Sequence, residues 1–175
     1  MTSSHSSAPS ILHPDWRFLL RHPAHFIALG FGSGLARQAP GTWGTLAGLP
    51  CYALLLFWLT PVQIAWFCLP VFALGVWAAD VTGKALGVHD HGGIVIDEIV
   101  AIWLVLTIVP HSGSGWLAAF AVFRFFDILK PWPIRALDAH VPGGFGVMFD
   151  DLVAALYAIA VLLGLMHFWP SLLRY

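Results

Sequence analysis

IVIDEIVAIWLVLTIV, residues 94–109, is the stretch on which the fold turns. It is apolar almost throughout, and its second half reads as helix that a bilayer would accept. Asp97 and Glu98 nevertheless lie side by side near its start. A carboxylate in hydrocarbon costs a few kcal/mol on insertion scales, so the pair needs a reason to be there.

The rest of the chain shares this character. Of its 175 residues, 59% are hydrophobic and only 10% charged, and mean hydropathy is +0.81. That composition predicts one domain, a polytopic membrane helical bundle; the alternative is an unusually apolar all-helical soluble domain. A net charge of -1 with no basic run excludes nucleic acid as a partner. Cys51 and Cys68 sit inside apolar runs and read as small packing residues rather than a disulfide framework. The opening MTSSHSSAPS reads as disordered and carries no signal-peptide pattern.

Residues 15–29 (DWRFLLRHPAHFIAL) mix Arg17 and Arg21 with Trp16, Phe18 and Leu19, which suits a short interfacial helix. The expected organisation is therefore residues 1–25 as tail and interfacial helix, and 26–175 as a single membrane domain. Four to five apolar helices are expected from runs at 46–59 (or 43–59), 62–79, 94–109, 116–126 and 152–169. The second and fifth approach the roughly 20 residues that span a bilayer, and the fourth is short enough to be re-entrant. Pro70 is expected to kink the second. Residues 80–93 and 127–150 read as polar loops.

If each run crosses, Arg17, Arg21, Arg37, Lys84, Lys130 and Arg135 fall on one side, with Arg124 close by, and Arg174 alone falls on the other. The positive-inside rule makes the richer side cytoplasmic. Asp97, Glu98, Asp127, Asp150 and Asp151 then converge on that face. Capping explains part of this: Asp150 would serve as an N-cap and Asp151 would suit the helix dipole. Gathered carboxylates repel unless a cation or proton sits between them, and oxygen-only ligation is what Mg²⁺ prefers. All five acids are candidate metal ligands.

FRFFDILKP, residues 123–131, spaces Arg124, Asp127 and Lys130 along one helix face. They form either an ion-pair string or a phosphate clamp beside the metal acids. His89, Asp90 and His91 lie together in VHDHGG. They suit water activation, metal ligation or a hydrogen-bonded loop. In PGTWGTLAG, residues 40–48, Thr42 and Thr45 lie near a helix start that would hold an anion.

The segments GFGSGLARQAPGTWGTLAG, GVHDHGGIVIDEIVAIW, FRFFDILKPWPI and GGFGVMFDDLVAA together resemble the phosphatidylglycerophosphatase A family, in the family's order, over about residues 30–155. The resemblance implies an all-α, Mg²⁺-dependent lipid phosphatase of the bacterial inner membrane that converts phosphatidylglycerophosphate to phosphatidylglycerol. The family includes soluble relatives with the same carboxylate motifs, and the apolar content here argues for the membrane form. Asp97, Glu98, Asp127, Asp150 and Asp151 fall on the family's acidic positions, His89 and Asp90 in its HD element, and Lys130 in its FDxxKP element. The expected mechanism has Mg²⁺ held by the acids, Arg124 and Lys130 on the phosphoryl oxygens, and His89 or Asp90 managing the proton. Asp97 is counted among the catalytic residues as well as the metal ligands.

The elements of other phosphotransfer families are missing: DxDx(T/V), PSGH and the DxxDGxxAR run of CDP-alcohol phosphotransferases. The rival class is an ion or small-solute transporter, which predicts carboxylates spread through the membrane depth. A homo-oligomer is compatible with the sequence, which does not specify one.

Overall fold

The computed structural model describes residues 13–88, 90–132, 134–135 and 141–169. Among these the secondary structure is helical and there is no strand. Two short helices, α1 (Trp16–Arg21) and α2 (Pro23–Ala28), lead through a 3-10 turn (Gly30–Leu35) into α3 (Pro40–Leu55). The helices α4 (Pro61–Leu86), α5 (Ile96–Leu106), α6 (Gly113–Leu129) and α7 (Gly143–Phe168) follow.

Local chemistry explains most boundaries. The Asp15 carboxylate accepts from the Phe18 N–H at 2.8 Å and starts α1, and His22 Nδ1 accepts from Ala24 N–H to start α2. Thr60 and Gln63 form a reciprocal capping box on α4, and Ser112 caps α6. Gly87, at φ 71°, ends α4 in the left-handed conformation that glycine adopts without cost.

α5, the helix of the opening stretch, is the centre of the bundle and packs against α3, α4, α6 and α7. All its residues except Glu98 and Leu104 are buried. A helix that is apolar on every side belongs inside something, and here that is protein. At 11 residues and about 1.5 Å per residue it is about 16 Å long, against a hydrocarbon core of about 30 Å. Only α4 and α7, at 26 residues each, are long and apolar enough to cross a membrane among the described helices. They expose large apolar side chains that the bundle does not cover, such as Trp66 and Leu69 on α4 and Leu156 and Leu163 on α7.

Two loop expectations change. The segment expected to be loop from residue 80 stays helical to Leu86, helped by the Asp80–Lys84 pair one turn apart (2.5 Å). The helix is assigned unbroken through Pro70. The glycine cluster at 143–146 is also helical, because its glycines let helices touch. A Cβ on Gly144 would stand 2.0 Å from the Val76 carbonyl oxygen of α4, and one on Gly75 would stand 2.7 Å from the Met148 side chain of α7.

Cross-links complete the frame. Trp103 Nε1 donates to the Gly48 carbonyl at 2.9 Å, joining α5 to α3. The Val95 N–H donates to the Ala28 carbonyl at 2.8 Å. His25 Nδ1 bonds Thr82 Oγ1 at 3.0 Å, docking α2 on α4. Burial, with His22 and Arg21 nearby, pushes the His25 imidazole pKa below its usual value and favours the neutral ring. Trp16 and Leu20 of α1 stay exposed while Leu19 is buried, an amphipathic arrangement.

Candidate active site

Five acids meet where α5 and α7 begin and α6 ends. Asp97 and Glu98 occupy the first turn of α5, where the positive end of the helix dipole favours them. Asp127 lies near the end of α6. Asp150 and Asp151 lie two turns inside α7, whose N-cap is Pro142. Helix capping therefore does not explain the Asp150–Asp151 pair. Asp97, Asp127, Asp150 and Asp151 are between 3% and 8% exposed, which is rare for carboxylates unless they are partnered.

The acids divide by partner. Arg124 pairs with Asp127 one turn away, and its NH1 lies 3.7 Å from Glu98 Oε1. Lys130 Nζ lies 2.5 Å from Asp150 Oδ2. Lys130 is also the C-cap of α6, in the left-handed region at φ 41°, a conformation that costs a non-glycine residue about 1–2 kcal/mol. Asp97, Glu98 and Asp151 also face one another, with one oxygen from each within 4.8 Å of the others. Asp97 Oδ1 accepts from the Glu98 N–H at 3.0 Å. Glu98 Oε2 and Asp151 Oδ2 are buried with no hydrogen-bond partner among the described residues. Such oxygens are costly unless something positive meets them.

Asp90 and Lys130 join the five acids around a cavity of about 130 Å³. Six carboxylates and Lys130 line it, with Arg124 beside Asp127 and Glu98, and a divalent cation would offset the excess of negative charge. The donor set is all oxygen, which suits a hard ion such as Mg²⁺.

The remaining expected residues separate. Thr42 Oγ1 lies 3.4 Å from Arg124 NH2 and so reaches the site. Thr45 is buried and donates to the Gly41 carbonyl of its own helix at 2.8 Å; it does not join the cluster. His89 lies outside the described residues. Sequence reasoning missed Gly41: a Cβ there would stand 2.2 Å from Glu98 Oε1 and 3.1 Å from Arg124 NH1. Only a glycine lets the Glu98 carboxylate close on α3, and its place directly after Pro40 was the available signal.

A helical bundle that gathers buried acids and cations at one end of two long apolar helices has the character of a membrane protein with an anion-handling site. Residues 26–166 match the family described as Phosphatidylglycerophosphatase A, and the chain belongs to that family. It is 46% identical over 156 residues to the phosphatidylglycerophosphatase A of Haemophilus influenzae, covering 89% of this chain and 96% of the relative. It is 42% identical over 158 residues to that of Escherichia coli, covering 88% and 90%. A Bacteroides thetaiotaomicron protein provisionally named a phosphatidylinositol-3-phosphatase is 36% identical over 143 residues, covering 78% and 89%. No solved structure matches the chain. The transporter alternative has no support here, because the acids cluster at one end of the bundle.

Proposed function

We propose that the protein removes the terminal phosphate of phosphatidylglycerophosphate to yield phosphatidylglycerol, and that it does so with Mg²⁺. Family membership supports the substrate. The observation that carries the metal is the convergence of Asp97, Glu98 and Asp151, two of them with unpartnered buried oxygens, beside two fixed cations. In this reading those three residues hold the ion, a narrower set than the five acids. When bound, the ion would polarise a phosphoryl oxygen and lower the pKa of a bound water.

The protein's own residues do the rest. Arg124 and Lys130 bind the equatorial phosphoryl oxygens and stabilise the charge that develops on them. Asp127 and Asp150 hold these two side chains in position before the phosphate arrives, so little reorganisation is left for the reaction. Asp90, on the rim of the cavity, takes the proton from the attacking water. Thr42 steadies Arg124 from α3.

The site lies at the headgroup level of the bacterial inner membrane, facing the cytoplasm. Arg37, Lys84, Arg124, Lys130 and Arg135 all belong to the segments at the site end, and that bias supports the orientation. α4 and α7 cross the bilayer, with the shorter α6 beside α7 and α3 packed on α5, in a multi-pass bundle. The test is phosphate release by purified protein from phosphatidylglycerophosphate and from phosphatidic acid, with Mg²⁺ and with EDTA. Release that needs Mg²⁺ and favours phosphatidylglycerophosphate is expected. Folded protein that releases no phosphate from either lipid would overturn the reading.

A further inference from the structure

The acidic cavity does not stand alone. A second, larger cavity of about 330 Å³ adjoins it, lined by Arg37, His91 and Asp15 among others, and Gly92 belongs to both walls. Beyond the second cavity lies a shallow apolar groove of about 490 Å³ over Trp43, Leu46 and Ala47, and Ala36 is common to both. Acid cluster, Arg37-lined vestibule and apolar groove thus follow one another, each sharing a wall residue with the next.

Arg37 is the charge that distinguishes the vestibule. It makes no ion pair with a described residue, whereas Arg124 and Lys130 are both held by acids. The vestibule's own acid, Asp15, accepts the Phe18 N–H at the start of α1 and makes no ion pair with Arg37. The turn that presents Arg37 is held in an unusual shape. Ala39 sits at φ 47° and ψ 53° immediately before Pro40, although L-residues seldom adopt that region and residues before proline favour extended backbone. Such strain persists where the surroundings impose it, and it gathers at functional sites.

We propose that Arg37 binds the internal phosphodiester of the lipid while the terminal phosphate occupies the acidic cavity and an acyl chain lies along the Trp43–Leu46 groove. This rests on the phosphatase reading and adds a second phosphate site to it. The order of polarity along this series matches the order of groups along the substrate: monoester, diester, hydrocarbon. A guanidinium suits a phosphodiester, to which it gives two parallel hydrogen bonds.

The product phosphatidylglycerol keeps the diester and lacks the monoester, so it probes this site without turnover. In nonionic detergent micelles, Arg37→Gln should raise KM for phosphatidylglycerophosphate about tenfold with kcat changed less than about twofold. It should weaken direct binding of phosphatidylglycerol by the same factor, and Arg37→Lys should recover part of both. Arg17→Gln, an exposed arginine of α1 outside the vestibule, should change neither. Unchanged KM and unchanged product binding in Arg37→Gln would overturn the proposal, as would an equal loss in Arg17→Gln, which would mark a general attraction to anionic lipid. If the wild-type protein released no phosphate, the phosphatase reading would fail. Arg37-dependent binding of phosphatidylglycerol would still establish the diester site.

Discussion

The first turn of α5 and the last turns of α6 both bring buried acids to the same cavity, yet they solve the problem of buried charge differently. α6 carries its own counter-charges, with Arg124 and Lys130 three residues to either side of Asp127, and together these cations hold Asp127 and Asp150. α5 places Asp97 beside Glu98 with no cation on its own helix, and α7 adds Asp151 to them. The α6 arrangement pairs each acid with a cation of the protein. The α5 arrangement has only the more distant Arg124, 3.7 Å from Glu98, to offset three acids whose like charges repel. A site that binds both a cation and an anion needs both arrangements: unbalanced acids for the first and pre-placed cations for the second.

The sharpest way to break this distinction is to neutralise one acid of each kind. Asp97→Asn or Asp151→Asn should lower kcat by at least about a thousandfold, equivalent to about 4 kcal/mol of transition-state stabilisation. Metal-free Asp97→Asn should melt at or above the wild-type temperature, because a repulsion has been removed. Mg²⁺ should raise the melting temperature of the wild type and not that of the variant. A folded, fully active Asp97→Asn protein would sink the assignment.

Asp127→Asn and Asp150→Asn should behave in the opposite sense. Each removes the nearest carboxylate from a partly buried cation, which costs up to about 3 kcal/mol of stability, and turnover should fall by about 10- to 100-fold as Arg124 or Lys130 loses its position. Thermal melts of metal-free protein in detergent separate the two groups by sign. Equal melting shifts in Asp97→Asn and Asp127→Asn would erase the division.

Gly41→Ala tests the geometry of α3 against α5. A methyl group 2.2 Å from Glu98 Oε1 must displace that carboxylate, and an activity loss of about tenfold is expected with a stability cost of about 1 kcal/mol. Activity assays alongside melts would show the disproportion. The smallest effect belongs to the far end of α4. Gln63→Ala removes half of the Thr60 capping box and should cost about 0.5–1 kcal/mol of stability with no change in kcat. Any change in turnover there would mean the two ends of the bundle are coupled.

Much of the site was legible in the one-dimensional pattern. Acids adjacent to apolar runs, and cations three residues either side of an acid, carry chemical meaning at any depth. The role of α5 was not legible, because an apolar run looks the same whether lipid or protein surrounds it. The depth of Asp150 and Asp151 was obscured by residues 143–146, since glycine is a poor helix former in isolation. Contact with the Val76 carbonyl overrides that tendency, because a side chain at Gly144 would keep α7 away from α4.

The sequence by itself determined that the described part of this chain is helical, that it is apolar enough for a membrane, and that its acids and cations gather at one end of the helices. Hydropathy, turn residues and charge spacing are local properties, and they survive in the pattern of letters. Only the tertiary structure decided that α5 is wrapped by four helices, that Gly41 makes room for Glu98, and that Asp127 and Asp150 are occupied by cations while Asp97, Glu98 and Asp151 face one another. Which charge meets which depends on helices distant in sequence, and that pairing exists only once they pack.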